Sequence, residues 1–278
     1  MLSKRLASTA AICLLLGAGT AACGDNKDSD KAAAPAATSA AAAPATPSAT
    51  PTPTKATLDT DKLTATDIKT QAKDALASAT ALKLSGTMAD TDGKMEINLA
   101  MDNKGQCTGT MSMPGMGKVE IIRDGKNIYM KPDTAFWTVI GGPNGAKVAE
   151  LFKGRYLTGL DKDPQMKSMT SLCDLSDFGK QIVEGGDKAG GTPEKGTAGT
   201  TNGVKTFSLK VTNSKGEKGT IYVATEGKPY PVRIETAPGK DGTTQIDLSD
   251  FDKPLTVQAP PADNTIDFTK FQEQAKTA

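Results

Sequence analysis

Two periods alternate along this chain. Between Thr64 and Thr80 the apolar residues Ile68, Ala72, Ala75, Leu76 and Ala79 recur at helical spacing, which places them on one face. Thr64 stands at the N-cap position and Asp67, three residues later, can bond back to it, so the pattern predicts a capped amphipathic helix. From Leu82 the period falls to two. Leu82, Leu84 and Met88 alternate with Lys83, Ser85 and Thr87; after the Asp92-Gly93 turn, Met95, Ile97, Leu99 and Met101 alternate with Glu96, Asn98 and Ala100. The alternation continues through Met111 and Met113, through Val119 and Ile121, past the Asp124-Gly125 turn to Ile128 and Met130, and to a strand expected around Phe136 and Trp137. A second series is expected to start near Thr197 and turn at Asn202-Gly203. It carries Phe207, Leu209 and Val211, then Ile221 and Val223, Val232 and Ile234, and Ile246 and Leu248.

Between the two series the period returns to helical. Val148, Leu151 and Phe152 in "AKVAELFKG", and Phe178, Ile182 and Val183 in "SDFGKQIVEG", predict two helices, followed by a Gly-rich connection from Gly185 to Gly199. About eleven short antiparallel strands, a leading helix and a helical insert exclude a doubly wound fold, which needs parallel crossovers. They predict an α+β domain: one strongly curved antiparallel half-barrel sheet of about eleven strands, one face wet and the other covered by helices.

The N-terminal segment changes the picture. Lys4 and Arg5 precede an apolar run from Ala10 to Ala18, the length of a secretory signal and short for a membrane span. Thr20, Ala21 and Ala22 before Cys23 resemble a bacterial lipobox, whose cysteine is diacylated and becomes the first mature residue; Thr20 stands where the motif usually has Leu. The alternative is plain cleavage after Ala22, leaving a free thiol. Residues 23–59 are rich in Ala, Pro, Thr and Ser, with Pro35, Pro44, Pro47, Pro51 and Pro53 opposing regular structure, and read as a disordered tether. The organisation expected is a signal peptide at 1–22, a lipidated N-terminus and tether at 23–59, and a domain at 60–278.

Charge narrows the partners. Lys and Arg number 33 against 32 Asp and Glu, well interspersed, so there is no basic footprint for nucleic acid. Four cysteines include Cys13 in the leader and Cys23 at its end. In an exported protein the remaining pair, Cys107 and Cys173, is most simply a disulfide; a two-cysteine metal site is the alternative, without CxxC spacing or any histidine to support it.

The absence of histidine excludes Ser-His and Cys-His catalysis, and G-x-S-x-G, S-x-x-K and a phosphate loop ending in G-K-[ST] are all missing. Asp90 with Asp92 fits turn chemistry, and Asp247 with Asp250 a solvated strand end. No enzyme activity, cofactor or metal is expected.

Taken together, the lipobox, the tether, "LKLSGT", "GKNIYMK" leading to "FWTV", "ELFKGRYL", "TTNGVKTFSLKV", "PYPVRIE" and "TQIDLSDFDKPLTVQAPP" resemble the LolA-like superfamily over Thr64 to Pro261. The nearest branch is the actinobacterial lipoproteins typified by the LppX and LprG proteins of mycobacteria. The resemblance implies a curved sheet and covering helices around an apolar cavity for the acyl chains of a lipid or glycolipid. The residues expected to line it are Leu84, Met88, Met95, Ile97, Leu99, Met111, Met113, Ile121, Ile128, Met130, Phe207, Leu209, Ile221 and Val223. Flexible thioethers on these strands, with Met166 and Met169 in the insert, suit a surface that re-packs around variable chains, and equally suit an ordinary core. The expected function is a lipid carrier or chaperone at the extracytoplasmic face of the cell membrane, held by its lipid anchor. The alternative is a non-enzymatic envelope sensor or protein-interaction module on the same fold.

Overall fold

A computed structural model describes residues 57–90, 93–160, 171, 173–179, 191–212, 216–237 and 242–270. The leader, Cys23, the tether as far as residue 56, Asp92, Met166, Met169 and residues 180–190 of the insert lie outside these.

Helix α1 (Ala65–Ala77) has the expected cap: the Asp67 amide donates to the Thr64 hydroxyl, and the Thr64 amide donates to the Asp67 carboxylate. The strands of the first series are β1 (Ala81–Asp90), β2 (Gly93–Asp102), β3 (Gln106–Met113), β4 (Gly117–Asp124) and β5 (Ile128–Pro132). Phe136 and Trp137 depart from expectation. They lie in a helix, α2 (Thr134–Ile140), because Asp133 caps it by accepting from the Phe136 amide at 2.8 Å. Two adjacent buried aromatics also fit a helix face better than an alternating strand. Helix α3 (Gly145–Phe152) follows and leads into the true sixth strand, β6 (Tyr156–Thr158). Residues 175–179 are helical, as the insert pattern predicts.

The second series is β7 (Glu194–Thr201), β8 (Val204–Thr212), β9 (Lys218–Ala224), β10 (Pro231–Thr236) and β11 (Gln245–Ser249). The Gly-rich connection is therefore shorter than expected, since pairing with β8 already begins at Glu194. A twelfth strand, β12 (Thr265–Asp267), pairs parallel with β6. The order in the sheet is β12-β6-β5-β4-β3-β2-β1-β11-β10-β9-β8-β7, so β1 and β11 join the two series. All other pairings are antiparallel, and the α+β class with one open, curved sheet is as the sequence predicts. Gly86 and Gly109, with φ of 151°, sit where a Cβ would meet the carbonyl oxygens of Gln245 and Asn98 at 2.0 Å. Only glycine permits this approach inside a strand, and such positions let a sheet bend sharply.

Helix α1 contributes to three packing clusters, the smallest of which sets Ala75 with Ala79 and Tyr230. Its first half sets Ala65, Ile68 and Ala72 on Phe207, Leu209 and Val223. Near its end, Leu76 joins the larger cluster of β1–β6 and β11, which also holds Phe136, Trp137, Phe152, Leu160, Cys173 and Leu175. Cys107 in β3 and Cys173 in the insert are joined by a disulfide with Cα atoms 5.4 Å apart. Among the described residues no helix is long and apolar enough to cross a membrane.

A polar clasp fixes the seam between the two series. Asp252 accepts from the Thr80 amide at 2.9 Å, the Tyr230 hydroxyl at 2.7 Å and the Lys228 ammonium at 2.9 Å. The Thr80 amide first, then the Tyr230 hydroxyl and Lys228, holds this carboxyl far below the ordinary value against a smaller opposing effect of burial. A folded-state pKa below the unfolded one gives stability that is present above about pH 4 and lost as the pH falls through the folded value. Urea unfolding of Asp252→Asn is expected to show a shallower loss of stability between about pH 5 and about pH 2 than the parent. Equal slopes would remove this role from Asp252.

Candidate functional site

Strand register decides which side chains share a face, because directly paired residues point the same way and the period is two. One row runs Leu209, Ile221, Ile234, Ile246, Gly86, Ile97, Met111, Val119 from β8 to β4, each paired with the next. A second runs Leu248, Leu84, Leu99, Gly109, Ile121, Met130, Leu157, Ile266 from β11 to β12. Neither row contains a polar side chain. On the opposite face Ser208, Tyr222, Arg233, Asp247, Ser85, Asn98, Thr110, Glu120 and Lys131 follow one another, and every member is polar.

The outer face is bound by its own charges. Arg233 donates to Asp247 through Nε at 2.5 Å and Nη2 at 3.0 Å, and this pairing is the main cause of the lowered Asp247 pKa. Glu120 accepts from Lys131 at 2.6 Å and from the Tyr156 hydroxyl. Burial raises the pKa of Glu120, but these partners together hold it below the ordinary value.

All fourteen residues expected to line a cavity lie on the apolar face, but they do not form one site. Leu84, Ile97, Leu99, Met111, Ile121, Ile128 and Met130 are buried in the larger cluster, with Met113 partly buried against it. Phe207, Leu209 and Val223 are buried under α1, with Ile221 beside them. Met88 and Met95 belong to neither cluster. They pair across β1 and β2 at the strand ends; Met88 is 38% exposed and Met95 half-buried. With Met113 at the end of β3 and Met116 on the β3–β4 connection, they form a thioether rim to the apolar face. The centre of the face is closely packed: Leu99, Ile121, Met130 and Leu209 have no exposure.

Sequence reasoning did not find the part played by Trp137, which closes one end of this face. It stacks on Phe152 at 5.0 Å, with Phe268 at 6.4 Å from its ring. The signal was present in "PDTAFW", where Asp133 is an N-cap and an aromatic pair follows.

No family model matches this sequence, and no curated protein is similar to it. Solved structures are similar in fold. LprF from Mycobacterium bovis is 15% identical, with a TM-score of 0.49 over 71% of this chain and 97% of that one. Lipoprotein LppX from Mycobacterium tuberculosis is 13% identical, with a TM-score of 0.44 over 69% of this chain and 96% of that one. MucB, in the Pseudomonas aeruginosa MucA/MucB complex, is 13% identical, with a TM-score of 0.30 over 71% of this chain and 58% of that one. At these identities the likeness is one of fold and carries nothing about ligand.

Proposed function

We propose that this chain is a non-enzymatic lipoprotein of the cell envelope, anchored through acylated Cys23 at the extracytoplasmic face, that receives acyl chains of a lipid or glycolipid on its apolar sheet face. The observation that supports this reading is the continuity of that face. Its central row runs without a polar side chain from β8 to β4, and the face ends in a rim of adaptable thioethers, Met88, Met95, Met113 and Met116. Each methylene moved from water to such a surface contributes about 0.8 kcal/mol, so one long chain is held without specific polar contacts.

The test uses protein exported from its own host as Cys23→Ala, so that covalent lipid does not confuse the result. Organic extraction is expected to release stoichiometric lipid. The rim variant Met88→Lys/Met95→Lys is expected to hold at least about tenfold less, because an acyl chain lying on the rim would then have to desolvate two cations. Its melting temperature should stay close to the parent's, since Met88 and Met95 lie outside all three core clusters. Protein that releases no lipid and binds no fluorescent lipid would falsify the reading. The close packing of Leu84, Leu99 and Met130 favours a second reading, a rigid module for an envelope protein partner, and lipid-free protein is the outcome it requires.

A further inference from the structure

Beside the end of the apolar face closed by Trp137 lies a groove of about 330 Å³. Its floor is Pro132, Trp137 and Ala149, all buried, and the last two belong to the same cluster as Val119, Ile121 and Met130 of the apolar face. Its walls are polar: Lys118, Glu120, Lys131, Asp133 and Lys153. The two carboxylates are already committed. Glu120 accepts from Lys131 and Tyr156, while Asp133 accepts from the Phe136 amide at 2.8 Å and the Lys118 amide at 2.9 Å. The Lys118 ammonium makes no direct ion pair among the described residues and is attracted only at longer range by Glu120, and Lys153 pairs with Glu150 across a solvent-exposed contact of 3.2 Å. The lining itself carries three ammonium groups against two carboxylates.

Trp137 adds an independent observation. The residue is 5% exposed, and its Nε1–H is buried with no hydrogen-bond acceptor. A buried donor without a partner costs free energy unless a bound group or water satisfies it. A groove with lysine ammonium groups in its walls, a tryptophan with an unsatisfied buried donor in its floor and an apolar face behind that floor has the graded polarity of an amphiphile.

We propose that this groove is a headgroup subsite for the phosphate-type oxyanion of an acylated lipid. Lys118 and Lys153 supply charge, and the Trp137 Nε1–H supplies a hydrogen bond; Lys131, already paired with Glu120, shapes the wall. The inference rests on the acyl-binding reading and adds headgroup selectivity to it. Inorganic phosphate has the same oxyanion without the chains, so it serves as the comparison that separates a lipid site from an anion site.

Trp137 is the sole tryptophan of the chain, so its fluorescence reports on the groove directly. The full-length protein is titrated with short-chain phosphatidate, with phosphatidylcholine carrying the same chains, and with inorganic phosphate, and binding is measured in parallel by calorimetry. The expected result is a saturable change in Trp137 emission, with phosphatidate bound about tenfold more tightly than phosphatidylcholine and inorganic phosphate far more weakly than either. In Lys118→Ala/Lys153→Ala the preference for phosphatidate should fall to about unity, and in Trp137→Phe, followed by calorimetry, phosphatidate should lose about tenfold. Equal binding of the two lipids by the parent, or a preference that survives in the double-lysine variant, overturns the subsite and leaves acyl binding standing. Inorganic phosphate binding as tightly as phosphatidate overturns the lipid assignment. Failure of every lipid to bind overturns the acyl-binding reading as well.

Discussion

Replacing Cys107 and Cys173 together by alanine is expected to lower the unfolding free energy by about 4 kcal/mol. The cross-link joins residues 66 apart in sequence, and restricting so long a loop in the unfolded chain accounts for most of that figure. Its location adds to the effect. Both cysteines are fully buried in the main cluster, where Cys107 lies on the apolar face of β3 and Cys173 brings the insert down onto it. For a domain of this size the loss corresponds to a fall in melting temperature of about 10 °C, measured by calorimetry on the double variant and on the parent with and without reductant. A fall under about 3 °C would mean that the insert is held by packing alone.

Phe152→Ala is expected to cost about 3 to 5 kcal/mol, the range for emptying a large buried aromatic position. Phe152 is 1% exposed, ends the inward stripe of α3 formed with Gly145 and Ala149, and packs on Trp137 and Phe268. Because Trp137 is the only tryptophan, its emission should shift to longer wavelength as water reaches the vacated space. Leu151→Ala serves as the control. That neighbour is 53% exposed, and its loss should change stability by less than about 0.5 kcal/mol. Denaturant unfolding that places both variants within about 1 kcal/mol of the parent would deny Phe152 its structural role.

Much of this architecture is legible in the sequence where local chemistry and period agree. The Thr64 and Asp67 cap is one case. The Asn202-Gly203 turn is another, its two residues taking φ of 51° and 80° as a tight hairpin demands. Period two also assigns all fourteen proposed lining residues to one face, since a strand cannot change parity without a bulge. What the period does not reveal is how that face divides. Leu99 under the helices and Met88 at the open rim have the same alternation, and only the placement of the covering helices separates them. Strands β6 and β12 escape for a different reason: three residues carry no period, and their parallel pairing joins Tyr156 to Thr265 across more than a hundred residues. The basic groove escapes because it has no motif. Lys118, Trp137 and Lys153 come from a strand and the helical hairpin beyond it, and meet only through the fold.

The strand order also has a consequence for assembly. Each neighbour in the first series, from β1 to β5, and in the second, from β7 to β11, is joined by a short connection, so both meanders close small loops. The pairing of β1 with β11 links nearly opposite ends of the described chain. A nascent chain emerging from its N-terminus therefore completes the first meander while one edge of β1 still lacks its partner. Until β11 emerges, that backbone edge is open to pairing with another chain, and the two meanders become one sheet only when β11 arrives to cover β1.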